Sequence, residues 1–204
     1  MRIIASFVFL SFYFTHSANS QELIYDINIA GKRVGSLLVN KIKKDSLTNY
    51  YSAISDVQYT LFRKTEMVYM YEALFQNDCL TKAYFIYKKN GEIEEESKLL
   101  WSKDGLYLSN IASFHKKQKT MLNKSMIQLY FQKPVHKDSI FSERFHDFVT
   151  IAEVKEENKF ILYIPNGDKN IYYYNEEGIC WKININTNIL SFEIVLKDPS
   201  SDKE

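Results

Sequence analysis

Residues 123–134 read Asn-Lys-Ser-Met-Ile-Gln-Leu-Tyr-Phe-Gln-Lys-Pro, and residues 140–148 read Ile-Phe-Ser-Glu-Arg-Phe-His-Asp-Phe. Here the two-residue rhythm that runs through the rest of the chain breaks. Apolar side chains fall at Met126, Ile127, Leu129, Tyr130 and Phe131, a spacing that suits one face of a short helix and not a strand. Pro134 closes that helix, because proline cannot extend the hydrogen-bond ladder and pushes Lys133 toward extended geometry. The expectation is one short helix near residues 124–132, set as a plug or hinge between two runs of antiparallel strands.

Outward from this break the signals are those of strands. Tyr25, Ile27 and Ile29 alternate with Asp26 and Asn28, and Ala53, Val57 and Tyr59 alternate with Ser52, Asp56 and Gln58. Met67, Tyr69, Tyr71, Ala73 and Phe75 form a further inward face, and Leu190, Phe192, Ile194 and Leu196 form the last one. Turn signals recur every eight to twelve residues or so, as in sandwiches and barrels. Asn90-Gly91 marks a tight hairpin whose two central residues take positive φ, and Pro165-Asn166-Gly167-Asp168 marks another. About seven strands precede the helix and five follow it. The expected fold is all-β: a single curved antiparallel meander of about 12 strands that closes into a barrel or half-barrel.

The first twenty residues read as a signal peptide. Arg2 supplies a positive start, Ile3 to Phe14 an apolar run, and Ala18-Asn19-Ser20 the small residues that a signal peptidase accepts, so cleavage is expected after Ser20. The apolar run is too short to span a membrane comfortably, and no transmembrane span is expected in the mature chain. Residues 21–198 are then one β domain, and residues 199–204 a disordered polar tail. An outer-membrane barrel is disfavoured by charges interspersed on the polar faces and by the charged end of the chain.

The chain carries 26 Lys and Arg against 25 Asp and Glu, and Arg2 is the only charge in the leader. That balance excludes the basic surplus on which nucleic-acid binding depends. The most basic run, His115 to Lys119, reads as a solvated loop. Cys79 and Cys180 are the two cysteines. A bridge would close a long loop and add roughly 4 to 5 kcal/mol in the chain-entropy model. Alternation instead puts Cys180 opposite the apolar face and Cys79 beside a turn, so both are expected as free thiols.

No nucleophile-elbow, phosphate-loop, zinc or calcium motif is present, and no cofactor or metal is expected. His115, His136 and His146 pair with no other ligand at a suitable spacing. The best polar constellation is Glu143, Arg144, His146 and Asp147, set among Phe141, Phe145 and Phe148. One reading makes Glu143 or Asp147 a general base in a hydrolase of an envelope polymer, with Arg144 holding an anionic group. The other has Arg144 form a bidentate pair with a carboxylate, pinning a crossing loop to the barrel. Together with Tyr130, these four residues are the candidate contacts for a ligand or partner. Fifteen tyrosines point to a lumen partly lined by phenol rings, which suits a lipid or glycan as well as plain core packing.

Four motifs together resemble a family of exported bacterial proteins defined only as a domain of unknown function. They are Tyr25 to Gly35, Leu129-Tyr130-Phe131 before Pro134, Phe141-Ser142-Glu143-Arg144-Phe145, and Pro165-Asn166-Gly167 leading into Lys169-Asn170-Ile171-Tyr172. The resemblance implies periplasmic or secreted placement in a Gram-negative bacterium and a curved antiparallel fold, and supplies no activity. The family pattern has a glycine where this chain has His146, so it does not carry over a special backbone turn there. The functional expectation is a non-enzymatic envelope protein that binds an amphipathic ligand or an envelope partner. The alternatives are the hydrolase and a structural or assembly component.

Overall fold

A computed structural model describes residues 19–60, 63–111, 114–118, 120–135, 139–154, 157–187 and 190–198. The leader through residue 18, His136 and the tail from residue 199 lie outside the described residues. Asn19 and Ser20, which the sequence places in the leader, are the first residues of β1 (Asn19–Ile29) and pair with Lys43 and Ile42.

Fourteen strands form one antiparallel sheet. The first meander continues with β2 (Lys32–Lys43), β3 (Thr48–Thr60), β4 (Lys64–Gln76) and β5 (Cys79–Lys89). It ends with β6 (Glu92–Trp101), β7 (Tyr107–Ile111) and β8 (Phe114–Gln118). The second holds β9 (Ile140–Ser142), β10 (Asp147–Val154), β11 (Lys159–Tyr163), β12 (Lys169–Tyr174), β13 (Cys180–Asn186) and β14 (Ser191–Leu196). The first and last strands pair with each other, Tyr25 opposite Leu196 and Ile27 opposite Ile194, and so weld the two meanders into one sheet. The order leaves β8 and β9 at its two ends, so the hydrogen-bond ladder is not closed.

The two strands beyond the expected twelve are β8 and β9. The former covers most of the basic run read from sequence as a loop. Strand β9 spans three residues, too few for alternation to register.

The hairpins follow their turn residues. Ala30-Gly31, Asn77-Asp78 and Asn90-Gly91 all take positive φ at both central positions, the geometry whose twist matches the flanking strands. Gly35 is required for a different reason. A Cβ there would lie 2.1 Å from the carbonyl oxygen of Asp56, so only glycine lets β2 and β3 approach at that point.

The break in the rhythm is a short 3-10 helix, Met126–Tyr130. The Gln128 side chain accepts a hydrogen bond from the N–H of Ser125, securing its first turn. Ile127 and Leu129 are buried, and the helix touches β3, β4, β9 and β13, strands of both meanders. It therefore plugs the interior of the curved sheet. Tyr130 packs edge-on against Tyr25 at 5.6 Å, and Phe131 meets Tyr51 at 5.9 Å.

Candidate functional site

The segment between β9 and β10 reaches across the open side of the sheet to the first meander. Arg144 forms a bidentate pair with Glu95 of β6, its Nε and one terminal nitrogen within 2.6 to 3.0 Å of the carboxylate. Its guanidinium lies 4.8 Å from the ring centre of Phe145 and 5.4 Å from that of Phe85. Burial draws the Arg144 pKa down, but the Glu95 carboxylate together with the neighbouring Tyr71 and Tyr69 phenols more than offsets this and keeps the side chain charged. The hydroxyl of Ser97, also on β6, donates to the backbone carbonyl of Glu143 at 2.7 Å. Ser109 of β7 bonds Nδ1 of His146. Three side-chain contacts thus form a seam where the backbone ladder is absent.

His146 has φ of +49° although it is not glycine, so the special turn is present in this chain. Left-handed backbone costs an L-residue of this kind roughly 1 to 2 kcal/mol. The Ser109 bond and stacking on Phe141, at 5.8 Å and 24°, hold the buried imidazole in place and offset that strain.

Glu143 points the other way, into the interior, and is fully buried. Its Oε1 accepts the N–H of Ile127 at 3.1 Å, so the carboxyl ties the crossing segment to the 3-10 helix. Burial pushes its pKa up, opposed by the Ser125 hydroxyl and by backbone N–H groups including those of Ile127 and Met126. Asp147 is exposed, and its Oδ1 accepts the N–H of Phe148 at 2.8 Å. Glu143 and Asp147 share no cleft. Among the described residues no three His, Cys, Asp or Glu side chains gather as a bound metal ion would need.

Inside the sheet lies a cavity of about 210 Å³. Of the five residues singled out in the sequence, Tyr130 and Arg144 line it, whereas Glu143, His146 and Asp147 do not. Much of the wall is apolar, with Leu37, Val57 and Met67 from the first meander facing Ile185, Phe192 and Ile194 from the second. The sequence reading did not single out Tyr71 and Tyr172 as a pair with Tyr130, yet all three line the cavity. Their hydroxyls make no hydrogen bond to a described residue, and burial raises the pKa of each well above the phenol value. The parity of Tyr71 and Tyr172 on their strands was the available signal.

Both cysteines are free thiols. Cys180 is fully buried, however, which corrects its expected outward placement. A bulge in the pairing of β12 with β13 lets Tyr173 face Lys182 and Tyr174 face Cys180, so Trp181 is extra and the parity flips. Burial pushes the Cys180 thiol up to about 12.

Residues 25–197 match the family described as "Domain of unknown function (DUF6134)". No curated protein matches the chain. Among solved structures it is similar to a beta-barrel-like protein of the domain of unknown function DUF1849 from Brucella abortus. The two share 10% identity and a TM-score of 0.49, over 89% of this chain and 96% of that one.

Proposed function

We propose that this chain, which belongs to the DUF6134 family of unknown function, is an exported, non-enzymatic binding protein that holds a small amphipathic molecule in its lumen. The observation that carries this reading is the void of about 210 Å³ left unfilled between the two meanders. Protein interiors pack about as densely as organic crystals, so a cavity of this size that opens partly to solvent gives a guest apolar wall atoms to cover and a way in. Its apolar wall favours a hydrocarbon body, and its hydroxyls favour one polar end.

Size narrows the guest. A cavity of ~150 Å³ accommodates benzene, which scales to roughly eight to ten heavy atoms here. That fits a short lipid-like molecule, or the end of a longer one, better than a glycan chain. Binding is favoured over catalysis because Glu143 is fully buried with one oxygen held by the 3-10 helix, while Asp147 is exposed and bonds its own strand, so the two carboxyl groups do not converge on a substrate.

Export is supported by the leader pattern of Arg2, Ile3 to Phe14 and Ala18-Asn19-Ser20, and the family resemblance points to a Gram-negative periplasm. Fusing the full chain to a phosphatase that is active only outside the cytoplasm tests the compartment: activity is expected, and an inactive, uncleaved fusion overturns export. Mass spectrometry of protein isolated from its native envelope tests carriage. A co-purifying small amphiphile is expected; protein that is always empty and binds no octyl-chain probe overturns the reading.

A further inference from the structure

The three unpartnered phenols restrict what the lumen accepts. Tyr71 comes from β4, Tyr130 from the 3-10 helix and Tyr172 from β12, so three separate elements bring their hydroxyls to one apolar space. All three side chains line the same cavity, Tyr71 and Tyr172 from opposite meanders and Tyr130 from the helix between them. Nearby on the wall, Oδ1 of Asn170 is buried with no partner among the described residues. Buried polar atoms as a rule find a partner, so Oδ1 of Asn170, with three phenols on the same wall that bond no described residue, is what a polar guest would satisfy.

Charge decides which guest. Among the described residues Arg144 is the one cation on the wall, and it is already bound to Glu95. Two further carboxyl groups bear on the site: Asp168 lines the wall, and Glu143 is buried against the 3-10 helix that carries Tyr130. An anionic head would enter a desolvated space with no cation to spare and a carboxyl behind its binding groups. A cationic head fares little better, because burial disfavours the ionised form of Glu143, and Asp168 is partly exposed, where water screens its charge. Phenol hydroxyls both donate and accept, so they match a neutral hydroxyl or carbonyl oxygen.

We infer that the lumen selects neutral amphiphiles, with an uncharged hydroxyl or carbonyl oxygen held by Tyr71, Tyr130 and Tyr172. This rests on the binding role proposed above and assigns its ligand class. The test titrates the full-length mature protein with 1-octanol, octanoate and octylammonium, which share one chain and differ in head charge, using ligand-observed NMR. Octanol binds at least about tenfold more tightly than either ion if each unpaired charge must be desolvated. Tyr130→Phe and Tyr172→Phe each weaken octanol about fivefold by removing one hydroxyl at constant shape. Equal or tighter binding of octanoate or octylammonium to the unaltered protein overturns the ligand class and leaves carriage standing. Octanol binding that is indifferent to both substitutions overturns the assignment to the phenols. Failure of all three probes to bind overturns carriage itself.

Discussion

Replacing Arg144 with Met tests whether side chains close the gap that the backbone ladder leaves. The substitution keeps an unbranched chain against the lumen and removes the guanidinium. Arg144 and Glu95 are 28% and 33% exposed, between the fully exposed pairs and the buried ones. Exposed pairs contribute about 0.2 to 1 kcal/mol, and breaking a buried one costs about 3 to 5 kcal/mol. Partial hydration of the stranded Glu95 places the loss of the pair near 1.5 kcal/mol, on the scale those two limits set. Loss of the contacts with Phe85 and Phe145 adds about 0.5 to 1 kcal/mol, so Arg144→Met is expected to cost about 2 to 2.5 kcal/mol. Glu95→Gln keeps the shape and one acceptor and is expected to cost about 1 kcal/mol. The double variant should be less damaged than the sum by about 1 kcal/mol, because the pair can be lost only once. Urea unfolding followed by Trp101 and Trp181 fluorescence measures all four corners, with unchanged m-values as the condition for comparison. A coupling energy below about 0.4 kcal/mol, the scatter of independent sites, would show that the contact does not hold the seam.

The left-handed turn at His146 makes Gly and Ala distinguishable there: both lose the Ser109 bond and the stack on Phe141, but Ala alone keeps the strain. His146→Ala should therefore be less stable than His146→Gly by about 1 kcal/mol in urea; the opposite order would refute the strain. Glu143 has its pKa raised by burial above the ordinary 4.5, so the native state binds the extra proton between that value and the raised one. Its contribution to stability consequently falls as pH climbs through that window. Glu143→Gln lacks this loss, so the variant should gain on the unaltered protein as pH rises from 4.5, and a gain toward acid pH would refute the burial effect. Cys79 is partly exposed and should react with a thiol reagent in the native protein, whereas Cys180 should react only after unfolding. Two equally fast thiols would contradict the bulge that turns Cys180 inward.

Much of the sheet was legible because its interior imposes parity. Tyr25 and Ile27, or Ala53 and Val57, can alternate with polar neighbours only if one face is dry, and all four are buried. Turn chemistry was legible for the same local reason, as Asn90 and Gly91 demonstrate. What escaped was decided by residues far apart in the chain. Nothing near Tyr25 announces Leu196 as its partner, and a single extra residue at Trp181 reverses the face of Cys180. The partner of Arg144 is instructive because a clue was present. Glu94-Glu95-Glu96 looks like a solvated run, yet Glu95 shares the parity of the buried Ser97 and Leu99. A carboxylate on an inward face calls for a cation or a donor, and Arg144 is the guanidinium set among phenylalanines.

The same physics connects the seam to the lumen. A sheet curved this far has two ways to finish: pair its edges and close, or leave them apart and cover the gap with side chains. Pairing would give a continuous wall, with the interior free to fill with its own residues. Here the first and last strands pair in the middle of the sheet, so the break in rhythm falls between the two free edges, and the chain must cross the interior there. The crossing segment then has two tasks: its helix occupies part of the lumen, and its Ser-Glu-Arg-Phe-His run seals the side. Those tasks use opposite faces of one short stretch. Glu143 reaches inward to Ile127 while Arg144 reaches across to Glu95. A five-residue 3-10 helix is too small to fill the space enclosed by fourteen strands, and the remaining void lies against Tyr130 and Arg144. The cavity is thus a consequence of how the sheet is closed, and any guest in it rests directly against the segment that closes it.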